Sequence, residues 1–207
     1  MSDDGKLTGH SALIAGAAGG IGLATALLLA AEDCQLHLSD LNDSDLEAAA
    51  DNITDSCDVE VDIYSTDLSE SINAAALGLE CEDVSILVNA FGNAPAGNID
   101  TLQADDWKEG FETRVFGAIN LTREVLESMN ELGSGIIINV GCTVEGDEPD
   151  QLCLHSANAS LETFSKILDN QYKRQGIRVL TFLPTANAST SDNAADLVKL
   201  IYKKLSS

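Results

Sequence analysis

Four glycines, at positions 16, 19, 20 and 22, are the residues whose spacing points most directly to chemistry. The loop Gly16-Ala17-Ala18-Gly19-Gly20-Ile21-Gly22 follows a short apolar run, SALIAG, and opens an unbroken helical stretch, IGLATALLLAAE. A strand turning sharply into a helix leaves the first helical N–H groups open, and glycines let a pyrophosphate approach them closely. Glycines also end strands for steric reasons, so the loop needs a second feature beside it. Asp40 supplies one, closing the next apolar run, QLHLSD, near the spacing at which an acid meets an adenosine ribose. A carboxylate there accepts hydrogen bonds from ribose hydroxyls and repels a 2′-phosphate, which favours NAD and disfavours NADP. The loop carries no Lys or Arg to receive that phosphate, and the nearest downstream cation is Lys108. The competing reading of Asp40 is a turn residue ahead of Leu41-Asn42.

The elements that must position this loop alternate along the whole chain. Apolar runs at 11–16, 35–40, 59–67, 84–92, 134–142 and 177–184 read as strands. Helical patterns fill the gaps at 21–32, 43–52, 70–79, about 102–132 and about 152–175, and an amphipathic stretch at 192–205 closes the chain. Such alternation requires right-handed crossovers and a parallel sheet covered on both faces, so the expected fold is α/β, a Rossmann-type doubly wound sheet of about six strands. A length of 207 residues suits one domain spanning 1–207. Ligands of such sheets sit beyond the carboxyl ends of the strands, here expected at the loops after strands one, two, four, five and six.

Composition narrows the partners. A formal charge of −23 opposes nucleic acid and anionic membranes, whose phosphates are bound through Lys and Arg. Lys6 is the only Lys or Arg before Lys108, and a solvated acidic surface accounts for that bias. No apolar run approaches the roughly 20 residues of a membrane-spanning helix. The acidic, polar start MSDDGKLTGH lacks the pattern of a secretory signal, and a cytoplasmic location is expected. Five cysteines without a Cys-x-x-Cys pair read as reduced thiols, with no metal site implied.

From about Leu7 to Ser189 the chain resembles the short-chain dehydrogenase/reductase family. AGAAGGIG at 15–22 is similar to the family's Thr-Gly-x-x-x-Gly-Ile-Gly, with Ala15 for Thr, and Asp67-Leu68 to its acid-hydrophobic pair beside adenine. Val88-Asn89-Ala90-Phe91-Gly92 is similar to Asn-Asn-Ala-Gly, with Ala90 for the second Asn. Trp107, Gly117, Gly176-Ile177-Arg178-Val179 and Leu183-Pro184 also fall in order, Thr185 replacing a glycine. The resemblance implies a dinucleotide held by Gly16, Ala18, Gly20, Ile21, Gly22, Asp40, Asp67, Leu68, Asn89, Ala90 and Gly92. It also implies a homodimer formed through the two long helices.

Family members move a hydride with a Ser and a Tyr at the substrate oxygen, a Lys that lowers the Tyr pKa and an Asn that supports the Lys. Here the Asn position is Arg114 and the Ser position Cys142, with Thr143 next to it. Aligning Leu161, Phe164 and Lys166 puts Leu154 at the Tyr position and Asn158 at the Lys position. An alternative register matches His155-Ser156-Ala157 to Tyr-Ser-Ala, but a one-residue deletion inside a helix rotates everything downstream by about 100°. His155 is the best candidate acid, since imidazole titrates near pH 6.5 without an activating cation, and Cys142 is a weaker donor. The competing readings are a helix-start histidine and a buried small residue. Arg114 either pairs with a neighbouring acid or meets an anionic ligand. By the same resemblance no lid or seventh strand is expected after Pro184, where TANASTSDN passes directly into a helical stretch.

Three functions follow. The first is an NAD(H)-binding protein with a degenerate active site, acting as sensor, partner subunit or scaffold. The second is an active NAD-dependent oxidoreductase using a substituted acid such as His155. The third is a non-redox enzyme using the same cleft.

Overall fold

A computed structural model describes residues 7–142 and 148–205. Six parallel strands form one sheet: β1 (Ser11–Ala15), β2 (Gln35–Asp40), β3 (Val61–Ser65), β4 (Ile86–Asn89), β5 (Gly135–Val140) and β6 (Ile177–Phe182), in the order β3-β2-β1-β4-β5-β6. The order reverses between β1 and β4, which opens a crevice at their carboxyl ends. Every residue of β1, β4 and β5 is buried, which explains why these strands read as continuous apolar runs.

Neighbouring residues in these strands serve opposite faces. Ile14, Val88 and Ile138 pack with helices α1 (Gly20–Ala30), α2 (Asp43–Thr54) and α7 (Thr190–Leu205), through Leu29, Leu46 and Leu197. Leu13, Leu87 and Ile137 pack on the other face with α3 (Ser71–Glu80) and part of the long helix, through Leu77, Leu121 and Val125. This is the expected doubly wound architecture. No helix among the described residues is long and apolar enough to cross a membrane.

The helix expected over 102–132 is interrupted. It runs as α4 (Ala104–Phe111), a π-helical turn (Glu112–Phe116) and α5 (Gly117–Leu132). The Thr113 hydroxyl bonds back to the Glu109 carbonyl at 2.9 Å, a contact that competes with regular helical bonding. Gly92 lacks a side chain where the Arg114 backbone passes, since a Cβ there would lie 2.9 Å from Arg114 Cα. The widened turn thus carries Arg114 into the interior, and such π-bulges are frequent at functional sites.

Helix α6 (Leu152–Tyr172) ends in a 3₁₀ turn (Lys173–Gln175) and feeds β6, the outer strand on its side. Asp169 covers that edge, accepting the Val179 N–H at 3.2 Å and pairing with Arg178 at 2.7 Å. Among the described residues no seventh strand lies beyond β6. The fourth strand stops at Asn89 rather than reaching 92, because the chain turns away through Gly92 at φ +89°.

Candidate functional site

A cavity of about 1010 Å³ occupies the crevice at the carboxyl ends of β1 to β4. Gly16 and Gly19 bound it after β1, Asp40 and Leu41 after β2, Asp67 and Leu68 after β3, and Ala90, Phe91 and Gly92 after β4. The N-terminus of α1 starts at Gly19, which offers no side-chain cap, and the first turn holds no acid. Its N–H groups therefore suit an anion. The loop needs its glycines for packing too. Gly16 has φ +86°, and a Cβ there would stand 2.7 Å from the Ala90 carbonyl, while a Cβ on Gly22 would run into the Gly16 carbonyl oxygen.

Asp40 ties the loop to β2. One carboxylate oxygen accepts the Ala18 N–H at 3.0 Å and the other the Leu41 N–H at 2.8 Å. Asp67 accepts from the Ser69 N–H and hydroxyl at 3.0 and 2.7 Å. These residues fit a dinucleotide: uncapped helix N–H groups for its pyrophosphate and an ordered carboxylate for its ribose.

Of the residues expected to hold a dinucleotide, Gly16, Asp40, Asp67, Leu68, Ala90 and Gly92 line the cavity. Ala18 contributes its bond to Asp40, Gly20 and Ile21 belong to the first turn of α1, and Gly22 packs beneath Gly16. Asn89 is placed otherwise, with 3% exposure. Its side-chain nitrogen donates to Asn139 at 2.8 Å and Thr122 at 3.4 Å. Asn139 donates in turn to Ser165 at 2.9 Å, which also receives the Thr181 hydroxyl at 2.9 Å. Asn89 therefore begins a polar strut across the sheet and does not line the cavity.

Sequence reasoning missed Thr66, Ser69, Asn93, Asp106, Glu109, Thr113 and Gln151, which line the same cavity. The loop after β3 belongs to the site although only its Asp67-Leu68 pair was flagged. The loop after β6 does not line this cavity, because Leu183 and Pro184 border a separate one of about 400 Å³.

Outside the lining of the larger cavity, Asn158 meets both Arg114 and Cys142. Its side-chain oxygen accepts from Arg114 Nη2 at 3.2 Å and the Cys142 N–H at 3.3 Å, and its nitrogen donates to the Cys142 carbonyl at 3.1 Å. Arg114 is 2% exposed. It also donates to the Gly92 carbonyl at 2.6 Å and the Val140 carbonyl at 3.2 Å. Among the described residues no acid pairs with it, contrary to the ion-pair expectation. Burial lowers the Arg114 pKa from its ordinary value, opposed by interaction with Cys142.

Leu154 lines the dinucleotide cavity, whereas His155 borders the smaller one with Cys142, Leu183 and Pro184. His155 therefore does not line the larger cavity, and it shares the smaller one with Cys142 and Asn158, the residues aligned with the Ser and Lys positions. Tyr64 lies in β3, Tyr172 ends α6 and Tyr202 is in α7, none lining the cleft. Thr143 lies outside the described residues.

A sequence profile described as short chain dehydrogenase matches residues 10–197. D-threitol dehydrogenase of Mycolicibacterium smegmatis is 30% identical over 191 residues, covering 88% of this chain and 72% of that protein. A solved short chain dehydrogenase/reductase family protein superposes with TM-score 0.88 at 24% identity, over 94% of this chain and 90% of its own. A metagenomic short-chain oxidoreductase in complex with NADP gives TM-score 0.87 at 23% identity, over 94% and 91%. With the profile spanning nearly the whole sheet and the glycine loop at its switch point, this chain belongs to the short chain dehydrogenase family.

Proposed function

We propose that this chain, a single domain, binds NAD(H) in preference to NADP(H) and that its carbonyl or alcohol oxidoreduction is weak or lost. What supports the second half is that Leu154, aligned by resemblance with the family's phenol, lines the cleft, while Asn158, aligned with the ammonium, bonds to Arg114. A bound nicotinamide donates or accepts a hydride. The chain must still supply or remove a proton at the substrate oxygen, an assistance typically worth about 10²–10⁴-fold. Leu154 has no proton to move.

The first half rests on Asp40, since one fold neighbour holds NADP and the family as a whole leaves the choice open. Asp40 lines the cleft at the end of β2, and among the described residues no Lys or Arg lines it to offset a 2′-phosphate. Calorimetry with NADH and NADPH, followed by NADH consumption over a panel of carbonyl compounds, tests both halves. Binding of NADH without turnover supports the reading, while rapid turnover defeats its catalytic half.

A second reading, a working NAD-dependent oxidoreductase, draws support from relatives named as dehydrogenases and from a cleft that keeps its dinucleotide-binding features. A cytoplasmic homodimer through α5 and α6 belongs to either reading. A groove between these helices, lined by Ile119, Leu126, Phe164 and Tyr172, supports that pairing, and light scattering tests it.

A further inference from the structure

The cleft has a second wall beyond the glycine loop and the ends of β2 and β3. On the β4 side it is bounded by residues 93–96, by Asp106, Glu109 and Thr113 of α4 and the π-turn, and by Gln151 and Leu154 where α6 begins. Two bonds hold these pieces together. The Gly97 N–H donates to the Asp150 carbonyl at 2.6 Å, and the Asn98 side-chain nitrogen donates to the Asp150 carboxylate at 3.2 Å.

The side-chain oxygens of this wall call for donors. One Asp106 oxygen accepts the Gln103 N–H at 2.7 Å, which leaves the other for a ligand. Glu109 forms no ion pair among the described residues, since Lys108 beside it pairs with Glu112 at 3.6 Å. The Thr113 hydroxyl directs its proton to the Glu109 and Asn93 carbonyls, at 2.9 and 3.1 Å, so only its lone pairs remain to offer. Gln151 carries a buried side-chain oxygen with no hydrogen-bond partner, a state that costs stability until a donor reaches it. Among the described residues no Lys or Arg lines the cavity. A cleft lined by one sign of charge concentrates ligands of the other sign. A neutral polyol would supply donors but leave both carboxylates uncompensated, whereas an ammonium supplies three donors and the charge.

We propose that this wall is a subsite for an ammonium group, and that the second ligand of the cleft is a small amino alcohol or the matching amino ketone. The inference rests on the dinucleotide reading of the neighbouring half of the cleft.

Three probes of one skeleton test it: 1-amino-2-propanol, 1,2-propanediol and lactate. Each is titrated into the nitrogen-labelled full chain near neutral pH, with and without NADH, and amide shifts report both affinity and location. The amine should bind about tenfold tighter than the diol, lactate should bind more weakly than the diol, and the amides of Ala94, Ala96 and Gln151 should move. Glu109→Gln should remove most of the preference for the amine while leaving the affinities for the diol and NADH unchanged. Asp106→Asn, which keeps an oxygen to cap α4, should act in the same direction. Equal affinities of the parent for amine and diol overturn the proposal, and that comparison decides alone if a variant fails to fold. A preference that survives both substitutions in one folded chain also overturns it. Calorimetry with NADH on the same preparations reads the nucleotide proposal separately: a chain that prefers the amine yet binds no NADH defeats only the dinucleotide reading.

Discussion

The Arg114 guanidinium donates to the Asn158 side-chain oxygen at 3.2 Å, so a cation and an amide stand in contact at the two positions where family resemblance calls for an amide and a cation. The charge comes from the π-turn and the acceptor from α6, the reverse of the arrangement the resemblance implies. This exchange predicts strong coupling. Asn158→Lys alone sets an ammonium against a buried guanidinium and removes its acceptor, at a cost of about 3–5 kcal/mol. Adding Arg114→Asn should recover part of the loss, with a coupling of about 1–3 kcal/mol in a denaturation double-mutant cycle. Additive losses would mean that the contact is incidental.

Asp40 serves two roles that one pair of variants separates. Asp40→Asn keeps the shape and removes the charge, whereas Asp40→Ala also releases the Ala18 and Leu41 N–H groups. The parent should prefer NADH over NADPH by about tenfold, equivalent to about 1.4 kcal/mol. Asp40→Asn should narrow that ratio chiefly by improving NADPH binding, and Asp40→Ala should weaken both nucleotides. Calorimetric affinities check this, and a parent with equal affinities would refute the role of Asp40.

The glycines of the loop should fail in different ways. Gly→Ala inside a helix ordinarily stabilises by about 1 kcal/mol. Gly22→Ala should instead lower the melting temperature, because the added Cβ meets the Gly16 carbonyl oxygen. At Gly20 a Cβ meets nothing within 4 Å but must tolerate φ +54°, so the loss in stability should be smaller. Its methyl projects at the helix N-terminus that suits an anion, so NADH affinity should fall more than stability does. A Gly20→Ala variant with parental NADH affinity would move the pyrophosphate elsewhere.

The core strands and the glycine loop were legible because each depends on local sequence. Runs such as ALIA and IIIN must be buried on both sides, and the glycines of 16–22 read as a binding loop once Asp40 stands at the end of the next strand. The π-turn was not legible, because Glu112 to Phe116 holds no proline or glycine and reads as ordinary helix. Its widening depends on Thr113 bonding back to Glu109 and on space provided by Gly92, twenty-two residues before Arg114. Asn89 misled for a related reason. Its motif lies in the crevice, yet alternation along β4 turns its side chain toward Asn139 and Thr122, partners far away in sequence.

The edge of the sheet carries the last prediction, one of acid stability. Burial raises the Asp169 carboxyl, but hydrogen bonds from Arg178 and the Val179 N–H, with attraction to Arg178 and Lys173, outweigh it and leave the pKa below its ordinary value. A carboxylate depressed in the folded state contributes stability that is fully present above its unfolded pKa of about 3.9 and lost as pH falls through the folded value. Asp169→Asn should therefore melt lower at neutral pH, by about 2–4 °C for each kcal/mol lost. The gap should stay level down to about pH 5 and close in more acidic solution, where the parent's own carboxyl is protonated. Added salt should narrow the gap only slightly, because the Asp169 side chain is 17% exposed. Melting curves across an acid series decide it: a gap that persists below about pH 2 would assign Asp169 a packing role and leave the β6 edge held by shape rather than charge.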